Sequence, residues 1–267
     1  MSDSNPAAGG PSAFHAGQPT EAGIYDYLIG GSHHTVADRE AAERVMEFTP
    51  EAKYAALQNR GFLRRAVTYL ARRGVDQYLD LGSGFPAHGQ VHEIAAGIIP
   101  DPHVVYVDRD PVVVERSREM VCDLPNVDIV AGDLRHPWDI LDHPTVNRLI
   151  DWSRPVAVQL VAILHFIPDE NEAYEIVATL REHMRPGSYL VLSHGTGDEN
   201  FDAAEVASKE WANTRSTVTL RPADQIERFF AGFELVGPGL VTTVEWGTNA
   251  PPPVNQAHLL CAIARRP

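Results

Sequence analysis

The sequence predicts an α/β fold with a doubly wound, mostly parallel sheet, and three stretches carry that expectation. The first is a short apolar run with an acid and a glycine turn, Tyr78-Leu79-Asp80-Leu81-Gly82-Ser83-Gly84-Phe85-Pro86. The second is Val104-Val105-Tyr106-Val107, which ends in Asp108, and the third is Val127-Asp128-Ile129-Val130-Ala131-Gly132-Asp133-Leu134. Helical patterns separate the runs. That alternation implies parallel strands, right-handed crossovers and a ligand at the carboxyl edge of the sheet. Three strands in order would each deliver an acid to that edge. The glycines let the backbone pass close to a ligand, and the free N–H groups of the following helix start face it. An acid ending the second strand is where two ribose hydroxyls donate to one carboxylate.

The remaining elements follow in chain order. Residues 1–20 are rich in Pro, Gly, Ser and Ala without periodicity, and read as a disordered or loosely draped tail. Residues 21–74 read as a helical cap over the cleft. Within it, the tyrosines, acid and paired glycines of Tyr25 to Gly31 make a poor core helix and predict a mobile flap hinged at Gly30-Gly31. Thr35 to Met46 reads as a helix with Thr35 as N-cap and Asp38 imitating a capping box. Glu51 to Arg73 reads as a second helix, stopped by Gly74. Residues 75–267 form the core. There the pattern predicts helices over Gly89 to Ile99, from Asp110-Pro111 onward, Trp138 to Ile150, and Asn171 to Met184. Val156 to Leu164 is the most apolar strand, suited to the middle of the sheet, with His165, Phe166 and Pro168 at its carboxyl end. Tyr189 to Ser193 is the next strand. Arg221 to Phe230 reads as a helix, and Phe233 to Val236 and His258 to Ala264 as strands. The mixed stretch from Thr196 to Leu220, with Trp211, reads as an inserted helix.

Composition narrows the function. The chain has 267 residues, enough for one large α/β domain with a small appendage, and its hydrophobic share of 44% suffices for a core. A formal net charge of −14 makes nucleic acid a poor substrate. The densest basic cluster, Arg60, Arg64, Arg65, Arg72 and Arg73, reads as a solvated helix face for all but Arg60. No apolar run is long enough to span a membrane, and no basic-then-apolar leader opens the chain. Two cysteines far apart, Cys122 and Cys261, fit a reducing cytoplasm better than a disulfide framework. His33-His34 is the one histidine pair, but adjacent histidines rarely face one centre, so no metal is expected.

The three acids and the glycine turn resemble the class I S-adenosylmethionine (SAM) methyltransferases. The resemblance implies a Rossmann-like, seven-stranded sheet with a reversed C-terminal hairpin. It implies that Asp80, Gly82 and Gly84 serve the methionine part of SAM, Asp108 the ribose hydroxyls and Asp133 the adenine amino group. Tyr25-Asp26-Tyr27-Leu28 with Gly30-Gly31, Ala37 to Ala42, Asn59 to Val67, Leu164 to Asp169 and Gly187 to His194 narrow it further. They resemble one methyltransferase family long catalogued only as a domain of unknown function. Where Lys-Asp-Asn is expected after the paired glycines, this chain has Ser32-His33-His34. The cofactor set implied is Tyr25, Arg60, Asp80, Gly82, Ser83, Gly84, Asp108, Arg109, Asp133, Leu134 and Val161. Arg60 is assigned to the SAM carboxylate, as a bidentate contact.

Methyl transfer from a sulfonium is an in-line displacement with a leaving group that is already cationic. Alignment supplies much of the rate, and no metal or covalent intermediate is required. An oxygen or nitrogen nucleophile can need a base, and His165 and His194 are the candidates because both follow a strand's carboxyl end. The fourth strand lacks the Asp/Asn-Pro-Pro-Tyr box of amino-directed DNA methyltransferases and the Pro-Cys of cytosine-C5 enzymes. A small-molecule acceptor, with no nucleic acid and no membrane partner, is the reading; a protein substrate and a homodimer stay open. Two alternatives belong to other classes. One is a catalytically silent SAM-binding regulator. The other is an NAD-dependent dehydrogenase, whose third fingerprint glycine falls on Ala87 and whose site does not call for Asp133.

Overall fold

The computed structural model describes residues 17–197, 217–249 and 259–267. Three helices come first: α1 (Glu21–Ile29), α2 (Val36–Phe48) and α3 (Ala52–Ala71). The core follows as β1 (Gln77–Leu81), α4 (Val91–Ala96), β2 (His103–Asp108), α5 (Pro111–Val121), β3 (Val127–Ala131), α6 (Pro137–Leu141), α7 (Pro144–Leu149), β4 (Ala157–Val161), α8 (Glu170–His183) and β5 (Tyr189–Gly195). The chain ends with α9 (Ala223–Arg228), β6 (Glu234–Leu235), β7 (Val241–Thr242) and β8 (Leu259–Arg265).

The strands form one sheet in the order β3-β2-β1-β4-β5-β8-β6, with β7 also on β8. β1 to β5 run parallel, and β8 is antiparallel to β5, β6 and β7. The order changes direction between β1 and β4, which is where a doubly wound sheet opens a crevice. Helices cover both faces. Leu79 and Leu81 of β1 join residues of α6, α7, α8 and α9 in one buried layer. Tyr78, Val104 and Tyr106 join Phe62, Leu63, Ala66, Val67 and Leu70 of α3 in the other. Ile24, Leu28, Ala41, Ala42 and Ala56 form a small separate core among α1, α2 and α3.

The mostly parallel α/β fold with a reversed C-terminal strand is as expected, but the sheet has eight strands because two-residue β6 and β7 both pair with β8. The long helix expected over Trp138 to Ile150 is two helices. Pro144 cannot continue α6, and instead occupies the first turn of α7 after His143. The fourth strand stops at Val161 because Ala162 takes a left-handed backbone (φ 56°), and a short 3-10 turn, Leu164–Phe166, follows.

The flap expected over Tyr25 to Gly31 is corrected to a helix. α1 is N-capped by Thr20, whose hydroxyl accepts from Gly23 N, and ends at Gly30 in a left-handed conformation. The paired glycines mark the terminus of α1, with Gly30 as its C-cap. Gly31 lies so close to the buried Asp26 carboxylate that a Cβ there would meet its Oδ1 at 1.9 Å. Asp26 Oδ2 also accepts from the backbone N–H groups of His33 and His34, at 2.9 and 3.0 Å, and contacts His34 Nδ1 at 2.9 Å. Thr35 and Asp38 make the predicted capping box at the start of α2. Most of the tail reading, and the inserted helix around Trp211, lie outside the described residues.

Candidate active site

A cleft of about 590 Å³ opens at the carboxyl ends of β1 to β5, with α1, α2 and α3 along its other side. Tyr25, Arg60, Asp80, Gly82, Ser83, Gly84, Asp108, Arg109, Asp133, Leu134, Val161 and His165 all line it. His194 does not.

The glycine turn is built by its neighbours. Gly82 N and Ser83 N both donate to Val107 O of β2, at 2.8 and 3.1 Å. Gly82 has φ +73°, and a Cβ there would lie 2.4 Å from Ile163 Cγ1. Only glycine lets the turn after β4 fold onto the turn after β1. Gly84 N donates to Asp108 Oδ2, and Asp110 N to Asp108 Oδ1, each at 2.9 Å. The Asp108 carboxylate is thereby oriented, with a lone pair on each oxygen still free.

The acids differ in electrostatics. Burial pushes Asp80 up to about 7, with nearby Arg60 opposing and Asp108 adding to the shift. Burial also raises Asp108 to about 6, against the two backbone N–H donors. For Asp133 burial pushes upward too, but Arg135 outweighs it and the net shift is down. Arg135 clamps Asp133 with its Nε, at 3.0 and 3.1 Å from the two oxygens, and with Nη2. Arg60 reaches the loop beyond the glycine turn, where Nη2 donates to Gly89 O at 3.1 Å and His88 O at 3.4 Å. Arg109 Nη2 lies 3.4 Å from Glu21 Oε1, joining the end of β2 to α1.

A buried polar chain, not anticipated from sequence, joins the helices to the sheet. Ala162 N donates to Ser193 Oγ at 3.0 Å, and Ser193 Oγ donates to Asn59 Oδ1 at 2.7 Å. Asn59 Nδ2 donates to Tyr25 Oη at 2.9 Å, and Tyr25 donates to Ala56 O at 3.2 Å. Asn59 is 1% exposed. Its one sequence-level signal is an amide among the apolar positions of α3.

The two histidines separate. His165 lines the cleft at the end of β4, and its Nδ1 lies 3.4 Å from Gly195 N. His194 is wholly buried behind it, with Nδ1 2.8 Å from Gly195 O and Nε2 2.8 Å from Arg221 Nη1. The expectation that His194 serves as a base is therefore corrected: it lies within β5 rather than past its end, and its side chain is buried in the protein. Among the described residues no group of three or more His, Cys, Asp or Glu is placed to hold a metal.

This fold and edge define a class I methyltransferase site. The chain belongs to the S-adenosyl methyltransferase family, whose model matches residues 8–267. It resembles a DUF574 family protein from Streptomyces avermitilis MA-4680, with 36% identity, TM-score 0.89, and 94% of this chain and 98% of that one covered. A candidate methyltransferase from Thermobifida fusca YX is also 36% identical, with TM-score 0.88 and coverage of 94% and 96%. An O-methyltransferase family protein from Burkholderia thailandensis shares the fold at 17% identity and TM-score 0.54, over 91% of this chain and 70% of that one. A search of the curated proteins finds no match. The chain is thus a SAM-dependent methyltransferase.

The residues present fit SAM. Two buried carboxylates held at raised pKa are relieved by a cationic ligand, and SAM carries a sulfonium and an ammonium. Ser83 Oγ is buried without a protein partner at the same turn.

Proposed function

We propose that the enzyme methylates a small molecule at oxygen or nitrogen inside this cleft. The observation that carries the reading is the wall away from the acids. Leu28, Val45, Ala52, Ala55, Ile163, Phe166, Val218 and Leu220 line it, an apolar surface around a volume usual for small-molecule sites. The net charge of −14 argues against a polyanionic acceptor.

In this reading Asp108 accepts from the ribose hydroxyls through its free lone pairs. Asp80, Gly82, Ser83 and Gly84 hold the methionine end, with Arg60 near its carboxylate. Asp133, Leu134 and Arg109 border the adenine, while Tyr25 and Val161 flank the reacting end. When bound, the sulfonium supplies the methyl group. The protein aligns and desolvates the two reactants. Helices α1 to α3 act as a cap, supported by Tyr25, Asn59 and Ser193, whose hydrogen bonds tie that layer to β5. No helix among the described residues is long and apolar enough to cross a membrane. Free Cys122 and Cys261 agree with a reducing cytoplasm.

The test is release of S-adenosylhomocysteine from methyl-labelled SAM across a panel of small phenols, carboxylates and amines. Labelled product from any of them supports the proposal. SAM binding with no transfer to any compound, but transfer to a protein extract, would overturn it.

A further inference from the structure

Arg221 is the largest of the fully buried side chains, at 2% exposure, and nothing in the cofactor site accounts for it. Among the described residues its hydrogen-bond acceptors are all neutral. Nη1 donates to Leu164 O at 3.2 Å and to His194 Nε2 at 2.8 Å, and Nη2 donates to Ile167 O at 2.8 Å. Those two carbonyls bracket His165.

The hydrogens in this cluster follow from chemistry. A guanidinium only donates, so His194 Nε2 must accept. His194 Nδ1 therefore carries the proton, and donates it to Gly195 O at 2.8 Å. A backbone N–H also only donates, so Gly195 N makes His165 Nδ1 an acceptor. The His165 proton must then sit on Nε2, on a ring that lines the cleft. Two obligatory donors, Arg221 and the Gly195 peptide, set opposite tautomers in the two rings.

From this we infer that Arg221 is a positioning residue, acting through His194 and Gly195 to present His165 Nε2–H as a fixed hydrogen-bond donor to an oxyanionic methyl acceptor. The inference rests on the small-molecule reading of the cleft and names its substrate class: a phenol, enol or similar acidic hydroxyl. The acceptor arrives ionised, its oxygen lone pair makes the new bond to carbon, and the old bonding pair stays with the departing sulfur. Charge cancels, and His165 keeps its proton throughout. Among the described residues the titratable groups facing His165 are Arg221 and His194, and Arg221 is faced in turn by Tyr174, Glu170 and Asp169. Burial, then Arg221, pulls His165 down to about 3, so it stays neutral across the working range. Burial, then His165, pulls His194 well below the ordinary histidine value.

The test is long-range proton–nitrogen NMR of histidine-labelled enzyme with S-adenosylhomocysteine, from pH 5.5 to 8, with His165→Gln as the assignment control. The expected result is His165 as the Nε2–H tautomer and His194 as the Nδ1–H tautomer, neither titrating. In Arg221→Gln the His194 resonances should become mixed. His165 as the Nδ1–H form, or a midpoint inside that window in the unaltered enzyme, would overturn the inference whether or not the variant folds. A second measurement uses 4-nitrophenol, whose ionisation is visible by absorbance. Bound to the same complex it should ionise at lower pH than free, an effect lost in His165→Leu and kept in His165→Gln. An unchanged or raised midpoint, or no binding, would remove the oxyanion class. The NMR readout needs no turnover, so it separates this failure from failure of the methyl-transfer reading.

Discussion

At the carboxyl ends of β1 and β2 the cleft carries two buried acids; behind the ends of β4 and β5 lie two buried histidines and an arginine. Both regions sit on one sheet edge and both take charge out of water. The first leaves its acids under-compensated, with Asp80 held up to about 7 and Asp108 up to about 6. In the second, hydrogen bonds join Arg221 to His194 and to two carbonyls, His194 to Gly195, and Gly195 to His165, which lines the cleft. Unfinished electrostatics mark the place where a charged ligand completes the site. A connected hydrogen-bond network marks a place that keeps its shape and protonation while ligands come and go.

The largest expected effect is on the unfinished side. Asp108→Ala removes the carboxylate that Gly84 and Asp110 orient, and with it the acceptor proposed for the two ribose hydroxyls. SAM affinity should fall by about 3 kcal/mol, on the order of a hundred-fold, in calorimetry. Unchanged affinity in a folded variant would place the ribose elsewhere and dissolve the contrast between the two regions.

Gly82 is where the regions meet, since Ile163 after β4 packs onto it. Gly82→Ala introduces a side chain at φ +73° and 2.4 Å from Ile163 Cγ1. A loss of about 2 kcal/mol in urea unfolding is expected, from left-handed strain and overpacking together. Wild-type stability would show that the two turns are free to part.

The pH dependence sharpens the comparison next. A cation binds the ionised acids, so their bound-state pKa values lie below the free values of about 7 and 6. Below those values binding must release protons, and affinity weakens as pH falls. SAM affinity should therefore rise by roughly ten- to a hundred-fold from pH 5.5 to 7.5 and then level off. A flat profile would mean that both acids are already ionised without ligand.

Much of the first region is legible in the sequence because it depends on neighbours in the chain. A strand that ends one residue past Asp80, or at Asp108, fixes where that acid lies, and Gly82 follows β1 directly. The second region depends on residues far apart. In the sequence His194 and His165 each read as following an apolar run, and only three-dimensional packing shows that His194 lies inside β5 and buried while His165 lines the cleft. Arg221 bonds to carbonyls more than fifty residues earlier, so nothing local distinguishes it from a surface arginine. Asn59 is hidden for the same reason, since its partners lie on α1 and β5. The misread elements were those where one residue outweighed the pattern: Pro144 split a helix, Ala162 shortened a strand, and Asp26 fastened the paired glycines of α1 in place.

Helices α1 to α3 link the two regions through Tyr25, whose hydroxyl is held by Asn59 and so by Ser193 near the end of β5. Tyr25→Phe removes one link and leaves Asn59 Nδ2 short of an acceptor, a loss of about 1 kcal/mol. Hydrogen exchange over residues 22–40 should slow on SAM binding, and by less in this variant. Equal protection with and without SAM would make α1 to α3 fixed walls, not a cap.

The smallest effect concerns the third acid, which belongs to neither pattern. Asp133 is already clamped by Arg135 on both carboxylate oxygens, at a partly exposed position where such a pair contributes little to stability. Two oxygens offer about four acceptor sites, and Arg135 uses most of them through its backbone N–H, Nε and Nη2. If the adenine amino group donates to Asp133, it does so beside the guanidinium or by displacing part of it. Arg135→Ala frees those lone pairs, so SAM affinity should stay the same or tighten, by no more than about 0.5 kcal/mol. The charge change also raises the Asp133 pKa toward the ordinary carboxylate value, which leaves it ionised above pH 6 and removes protonation as an explanation. A ten-fold loss of affinity in Arg135→Ala would show that the arginine, and not the acid, meets the nucleobase. It would also place the boundary between the charged and neutral parts of the cleft one strand further out.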